Sequence, residues 1–528
     1  MKKNSLFFLC LLLVTVIQLS CNDSQQKEKE KKPNIILFLV DDLGWQDTSV
    51  PFHKEETPFN ERYETPNMER LAEQGMLFTN AYSASPVCTP TRSSIITGKN
   101  PANTNITDWT LRNDVRAMDR VKPESDFPLF APEWRVEGVQ PDTLLLTSLL
   151  RKQGYRTIHV GKAHFGALET AGADPENLGF DVNVAGHAAG APGSYWPEDR
   201  YGNSETDSIW GVPGMEQYYE SQANLTEALT IEANKAIDEA VADDKPFYIN
   251  MAHYTVHAPI MADRRYYQKY LEAGIDSAEA KYASMIEGMD RSLGQLLKHL
   301  EEEEVAKETI ILFMSDNGGL SVHSRGSTPM GTGGNTHNKP LRSGKGSAYE
   351  GGIRVPMIAA WAEEAGQLPL QKHFPIQPGS RNDTPVISED FYPTILELAG
   401  LGSAHRAYRA TDGRSFLPLL KNAEASGEDR LLFWHYPHKW GPDGPGYEPF
   451  TAVRDGAWKL IYFYRNQEWE LYNLDEDIGE TRNLLDERRE VARRLAEKMT
   501  PRMRTAGAQT PVSKVTGKPV GLPVLAEE

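Results

Sequence analysis

Two seven-residue runs, Asn34–Val40 (NIILFLV) and Thr309–Ser315 (TIILFMS), contain scarcely a polar side chain. A short apolar run without alternation fits a strand covered on both faces, and such strands occur where helices pack on each side of a parallel sheet. Met76–Asn80, Arg156–Val160 and Phe247–Met251 have the same character. Helical patterns separate them. Thr65-Pro66-Asn67 offers an N-cap and a proline at the first helical position of a helix that Gly75 ends. Further helices are predicted over about Asp142–Gln153, closed at Gly154, then Gln222–Val241 and Ala278–Leu300. Strands alternating with helices predict an α/β fold whose large, mostly parallel sheet is sandwiched by helices.

Near Arg381–Thr384 the rhythm changes. After a helix at Glu389–Ala399 come short strand patterns at Leu431–His435, Thr451–Val453, Trp458–Tyr464 and Glu470–Tyr472, then a charged helix near Asp486–Met499. This reads as a smaller C-terminal antiparallel sheet with one covering helix. The expected organisation is a signal peptide at 1–20, a tether at 21–32, a main domain at 33–428, a small subdomain at 429–500 and a tail at 501–528. The chain is acidic, with 56 Lys plus Arg against 74 Asp plus Glu and a net charge of −18. That field repels phosphate backbones and excludes a nucleic-acid binder. An anionic substrate must therefore meet a local cluster of Lys, Arg and His.

Lys2 and Lys3 followed by the apolar stretch Leu6–Leu19 read as an export signal, too short and poorly flanked for a spanning helix. It stops at Leu19-Ser20-Cys21, which resembles a bacterial lipobox, so Cys21 is expected to carry lipid; a plain signal peptide is the alternative. The polar stretch after Cys21 suits a flexible tether. The expected location is the periplasm or the outer membrane and cell surface, with membrane contact only through the lipid. Of the cysteines Cys10, Cys21 and Cys88, only Cys88 then remains in the mature globule, and no internal disulfide can form.

Polar chemistry gathers where the strands end. NIILFLV runs into Asp41-Asp42, TIILFMS into Asp316-Asn317-Gly318-Gly319, the strand at Val160 into Gly161-Lys162-Ala163-His164, and Phe247–Met251 into a segment holding His253 and His257. Ligands of open α/β sheets bind outside the carboxyl ends of the strands, so these groups should converge on one crevice. Asp41, Asp42, Asp316 and Asn317 supply only oxygen, which suits Ca2+ or Mg2+ better than zinc. A purely structural calcium site is the competing reading. In SPVCTPTRSSIITG (Ser85–Gly98), Cys88, Pro90 and Arg92 have the spacing C-x-P-x-R. Pro90 in a first helical turn would set Cys88 near a positive helix end, which would acidify its thiol.

CTPTRSSIITG resembles the signature of the type I sulfatases of the alkaline-phosphatase superfamily, in which this cysteine becomes formylglycine. PNIILFLVDDLGWQD, GKAHFG, HYTVHAP, SDNGG and LRSGKGSAYEGGIRVP resemble further elements of that family, in order, and DGRSFLPLL and DGAWKLIYF…ELYNLDED resemble its small C-terminal domain. The resemblance implies an alkaline-phosphatase-like mixed sheet and hydrolysis of a sulfuric ester. Hydrated formylglycine (3-oxoalanine) at Cys88 would attack sulfur, giving a covalent sulfo-enzyme that collapses to the aldehyde. It implies one Ca2+ held by Asp41, Asp42, Asp316, Asn317 and the modified Cys88, with Arg92 steadying the diol. Lys162 and Lys345 would clamp sulfate, His164 would act as base for the collapse, and His257 as general acid to the leaving oxygen. Lys162 and His164 alternate, so an extended segment would point them the same way.

The implied partners are a sulfated glycan, such as an algal galactan or an animal glycosaminoglycan, and a formylglycine-generating or anaerobic sulfatase-maturating enzyme. His323, Arg342 and His435 are candidate substrate-binding residues, with His337 and Arg325 in the same Gly/Ser/Thr-rich insertion as His323. His253 reads as structural. Tyr195, Trp196 and Trp210 either stack on sugar rings or pack a surface loop; Tyr436 and Trp440 begin the small domain. Two rival readings stand beside this one: a phosphodiester or phosphonate monoester hydrolase of the same superfamily, and a catalytically silent glycan-binding lipoprotein.

Overall fold

The computed structural model describes residues 31–114, 126–204, 209–320, 338–427, 429–441 and 444–526. Cys10, Cys21, His323, Arg325 and His337 lie outside them. The central sheet contains β1 (Asn34–Val40), β2 (Gly75–Phe78), β3 (Arg156–Gly161), β4 (Val182–Val184), β5 (Phe247–Ala252), β6 (Thr309–Ser315), β7 (Met357–Trp361) and β8 (Ser380–Asn382). Their order is β8-β2-β7-β6-β1-β5-β3-β4. β1 lies in the middle, parallel to β6 on one side and β5 on the other. Only β7 runs against its neighbours β6 and β2, which makes the sheet mixed but mostly parallel.

Every residue of β1 and β6 is buried because helices cover both faces. Ile36, Phe38 and Val40 join one core with residues of α1 (Pro66–Gln74), α4 (Leu225–Ala242) and α5 (Ser277–Glu302). Ile35, Leu37 and Leu39 join the opposite core with residues of α2 (Cys88–Thr97), α3 (Leu146–Lys152) and α6 (Phe391–Leu398). The two-residue period of a strand thus feeds both faces. α3 starts at Leu146 rather than near Asp142, because the Asp142 carboxylate accepts the Leu144 N–H at 2.9 Å and its carbonyl the Leu145 N–H. Such an aspartate turn competes with helix.

The C-terminal sheet holds β9 (Leu431–Tyr436), β10 (Phe450–Asp455), β11 (Trp458–Phe463) and β12 (Glu468–Asn473), all antiparallel. Phe433, Val453 and Leu460 face α7 (Arg489–Ala506). Trp434, Ala452 and Ile461 face the main domain, packing with Tyr82, Val87 and Tyr349. α7 continues past the predicted end at Met499 and through Pro501. A proline inside a helix costs about 3 kcal/mol, but the apolar stripe Leu495, Met499, Met503 carries straight across it and keeps the last turns docked. Beyond, Val512–Ser513 pairs with Leu129–Phe130. Among the described residues no helix is long and apolar enough to cross a membrane.

Candidate active site

β1 and β6 are adjacent and end level, with Val40 opposite Ser315, so the chain deposits Asp41-Asp42 beside Asp316-Asn317. Asp42 turns out of the strand with φ 62°, and its N–H donates to Asp316 Oδ1 at 3.3 Å. All four side chains are fully buried. α2 begins at Cys88, which points its thiol at them, with Sγ 3.7 Å from Asp41 Oδ1. One turn along, Arg92 reaches across the site. Its Nε donates to Asp316 Oδ2 at 2.8 Å, one terminal nitrogen to the Lys162 carbonyl at 2.7 Å, and the other lies 3.9 Å from Asp41 Oδ1.

Lys162 Nζ sits 2.6 Å from Asp41 Oδ2, and Lys345 Nζ 2.6 Å from Asp42 Oδ1. Three carboxylates are thus set against three cationic side chains, all of them buried. Burial, opposed by Lys162, leaves the Asp41 carboxyl well above its usual range. Asp42 goes the other way: burial raises it, but Lys345, His257 and Lys162 together hold it well below.

Two expectations fail here. The Cys88 thiol is not acidified by its helix end; burial pushes it up to about 12, against the pull of Lys162 and Lys345. A buried thiol of that kind is a poor nucleophile. Nor do Lys162 and His164 share an extended segment, since β3 stops at Gly161 and His164 takes φ 54°. The turn sends Lys162 to Asp41 and fixes the His164 ring separately, with Nε2 donating to the Thr110 carbonyl at 2.7 Å. His164 Nδ1 is left buried without a partner. Burial, then Lys162, depresses its proton affinity well below the ordinary value.

His257 lies on the open side of the cluster. Its side chain is 19% exposed while Asp42, 3.6 Å from Nε2, is 0% exposed, so a ligand would arrive past this ring. Nδ1 donates to the Ala258 carbonyl at 2.7 Å, which turns Nε2 inward. Burial and Lys345 lower its proton affinity to about 3 despite Asp42.

Could this donor set hold a cation? Asp41, Asp42, Cys88 and His257 each present a ligand atom, all within 4.8 Å of one another. Asp42 Oδ2 and Asn317 Oδ1 are buried acceptors with no hydrogen-bond donor. Oxygen predominates, so the residues fit a hard divalent ion.

The remaining candidates are held by other partners. Arg342 stacks on Tyr349, 3.8 Å from the ring centroid, and donates to Tyr472 Oη and the Glu480 carbonyl, so it ties its loop to the small sheet. His435 is buried, with its ring nitrogens bonded to Thr451 Oγ1 and the Gln509 carbonyl. His253 is buried beside Phe38 and bonded to Ser292. Tyr195 and Trp196 are buried, and Trp210 is exposed.

Some supporting roles are not visible in the sequence. Tyr195 Oη donates to the carbonyls of Tyr254 and His257 and so braces the histidine turn. Gly190 lies against the His164 ring, where a Cβ would come within 2.3 Å of Cε1 and 2.6 Å of Nδ1. Gly190→Ala should therefore displace that imidazole. Turnover is expected to fall about 100-fold, the scale of a 1 Å misplacement, with the melting temperature nearly unchanged; kinetics and calorimetry on the purified variant check this.

The family model described as Sulfatase matches residues 33–401, and one described as N-sulphoglucosamine sulphohydrolase, C-terminal, matches residues 345–507. A protein of Formosa agariphila named sulfatase is 29% identical, over 92% of this chain and 90% of its own. Mouse N-acetylgalactosamine-6-sulfatase is 31% identical, over 86% of this chain and 76% of its own. The solved structure of Ps i-CgsB in complex with k-i-k-neocarrahexaose superposes with a TM-score of 0.69 at 27% identity, covering 90% of this chain and 93% of that one.

Proposed function

Because the chain belongs to the sulfatase family and is a sulfuric ester hydrolase, we propose that it removes sulfate from a sulfated carbohydrate, using an aldehyde made from Cys88 and a bound calcium ion. The observation that carries the proposal is the placement of Cys88 on the first turn of a buried helix, 3.7 Å from Asp41, inside a ring of three cations. The same placement suits a hydrated aldehyde, whose hydroxyls would face Asp41 and the cationic side chains. The oligosaccharide bound to the similar solved structure supports the carbohydrate class.

If Cys88 is converted to a hydrated aldehyde, residue 88 would supply a hydroxyl nucleophile, its proton lost as it bonds to sulfur and the sugar oxygen departs, and a second hydroxyl for the release of sulfate. Asp41, Asp42, Asp316 and Asn317 would hold a divalent ion, which would supply Lewis-acid stabilisation of charge on oxygen. The chain's own groups do the rest. Lys162 and Lys345 are strong point charges that can exchange carboxylate for sulfate oxygens and orient the ester. Arg92 keeps Asp316 and the backbone at Lys162 in register. His164 Nδ1, buried and unpartnered, accepts a proton. His257 Nε2 faces the crevice from its open side and serves the leaving oxygen. Burial and Lys345 hold its proton affinity low, and the negative charge of an ester beside it would raise it.

A panel of sulfated oligosaccharides and phosphodiesters offered to one purified, matured sample tests the function. Sulfate release at a kcat/KM at least about 100-fold above phosphodiester cleavage is expected; the reverse preference would overturn it. We also propose that the chain is matured by a formylglycine-generating or anaerobic sulfatase-maturating enzyme, exported and lipid-anchored at Cys21. The charged start, apolar run and Leu19-Ser20-Cys21 support the anchor. Incorporation of labelled palmitate, lost in Cys21→Ala, is the expected result.

A further inference from the structure

Lys345 is carried by a loop that crosses from the main domain to the small sheet, and its placement depends on both. The Lys345 N–H donates to the Gly319 carbonyl behind Asn317, and the Gly346 N–H to the Pro86 carbonyl, two residues before Cys88. On the other side the Ala348 N–H donates to the Gly446 carbonyl, in the loop between β9 and β10, and Trp440 of that loop packs so closely on Gly346 that a Cβ would come within 2.1 Å of its ring. The loop then ends on Glu350.

Glu350 lies in an ionic cluster without water access. Lys459 of β11 is 0% exposed, with Nζ 2.9 Å from Glu350 Oε1 and 2.8 Å from Glu480 Oε1. The other Glu480 oxygen accepts the Glu350 N–H at 2.6 Å. The other Glu350 oxygen accepts Tyr82 Oη at 2.6 Å and lies 3.4 Å from Arg354. Tyr82, bonded also to Arg454, belongs to the segment that leads into Cys88. Burying a lysine is costly, and apolar residues of equal volume commonly give as much stability. What they cannot give is a fixed distance between three named groups on separate segments: a strand of the small sheet, the end of the lysine loop and the loop after β12.

We propose that Lys459 is a positioning residue for catalysis: by bridging Glu350 and Glu480 it fixes the loop that places Lys345 beside Asp42, so that the small C-terminal sheet is part of the sulfate site. This rests on the reading of Lys345 as a sulfate clamp given above.

Lys459→Met keeps the stem and removes the charge; Glu480→Gln, milder, serves if that variant does not fold. With the sulfated oligosaccharide on which the matured enzyme is most active, Lys459→Met is expected to lower kcat/KM about 30-fold, and Lys459→Arg to recover to within about 5-fold. In a Lys345→Ala background the same change should cost less than about 2-fold, because an effect acting through Lys345 is already lost. Amide hydrogen exchange in the full chain should rise across residues 343–350 and stay unchanged in β1 and α5. Wild-type activity with a protected loop, a full additional loss in the Lys345→Ala background, or exchange spread over the whole main domain would each overturn the proposal. If the matured protein hydrolysed no sulfate ester, the clamp reading would fall, and the exchange pattern would still decide whether Lys459 fixes the loop.

Discussion

Cys88→Ala is expected to cost at least about 10⁴-fold in turnover of any sulfate ester, the scale on which enzymes lose a covalent nucleophile. The fold should survive. The thiol is a single atom at the first position of α2, and its polar contact is the 3.7 Å approach to Asp41. Arg92, Lys162 and the backbone bonds that align β1 with β6 do not depend on it. The melting temperature should fall by a few degrees at most, since about 1 kcal/mol shifts a domain of 150–250 residues by roughly 2–4 °C and a larger one by less. Loss of activity together with loss of cooperative unfolding would mean that Cys88 is structural. Steady-state kinetics on matured protein, with a thermal melt of the same sample, separate the two outcomes.

Exhaustive chelation is the second large effect. On the proposed reading one ion would be held by Asp41, Asp42, Asp316 and Asn317, and its removal would take away positive charge beside the sulfate oxygens. Activity should fall by at least about 10³-fold, several kcal/mol of transition-state stabilisation. Calcium should restore it better than zinc, because the donors are oxygens. Chelated protein should stay folded: Lys162 and Lys345 already lie 2.6 Å from Asp41 and Asp42 and neutralise them directly. Activity indifferent to chelation, measured after dialysis against a strong chelator, would remove the metal from the account.

How much of this was legible in the sequence varies with the physics that sets each feature. β1 and β6 stood out because strands covered on both faces have no polar alternation to blur them, and the aspartates after them follow from strand ends sharing one crevice. β4 and β8 did not, because three residues of ordinary composition carry no period. β7 is apolar, but its reversed direction is set by the lysine loop folding back beside β6, a long-range fact that no local pattern encodes. Within the site, residue types were readable and their partners were not. Arg92 sits one helical turn from Cys88, as the spacing predicts, but its bonds to Asp316 and the Lys162 backbone could not be read from that spacing. His164 depends on a left-handed turn and on Gly190, and His257 on Tyr195, contacts between segments far apart in the chain. The thiol was misjudged because a helix N-terminus is visible in a sequence and full burial is not.

Peptide mass spectrometry across residue 88, on samples of graded maturation whose turnover is measured in parallel, addresses the central claim most directly. The account predicts an aldehyde at position 88, captured as a hydrazone, and turnover proportional to the aldehyde fraction. Full turnover from protein whose Cys88 is entirely an intact thiol would contradict it.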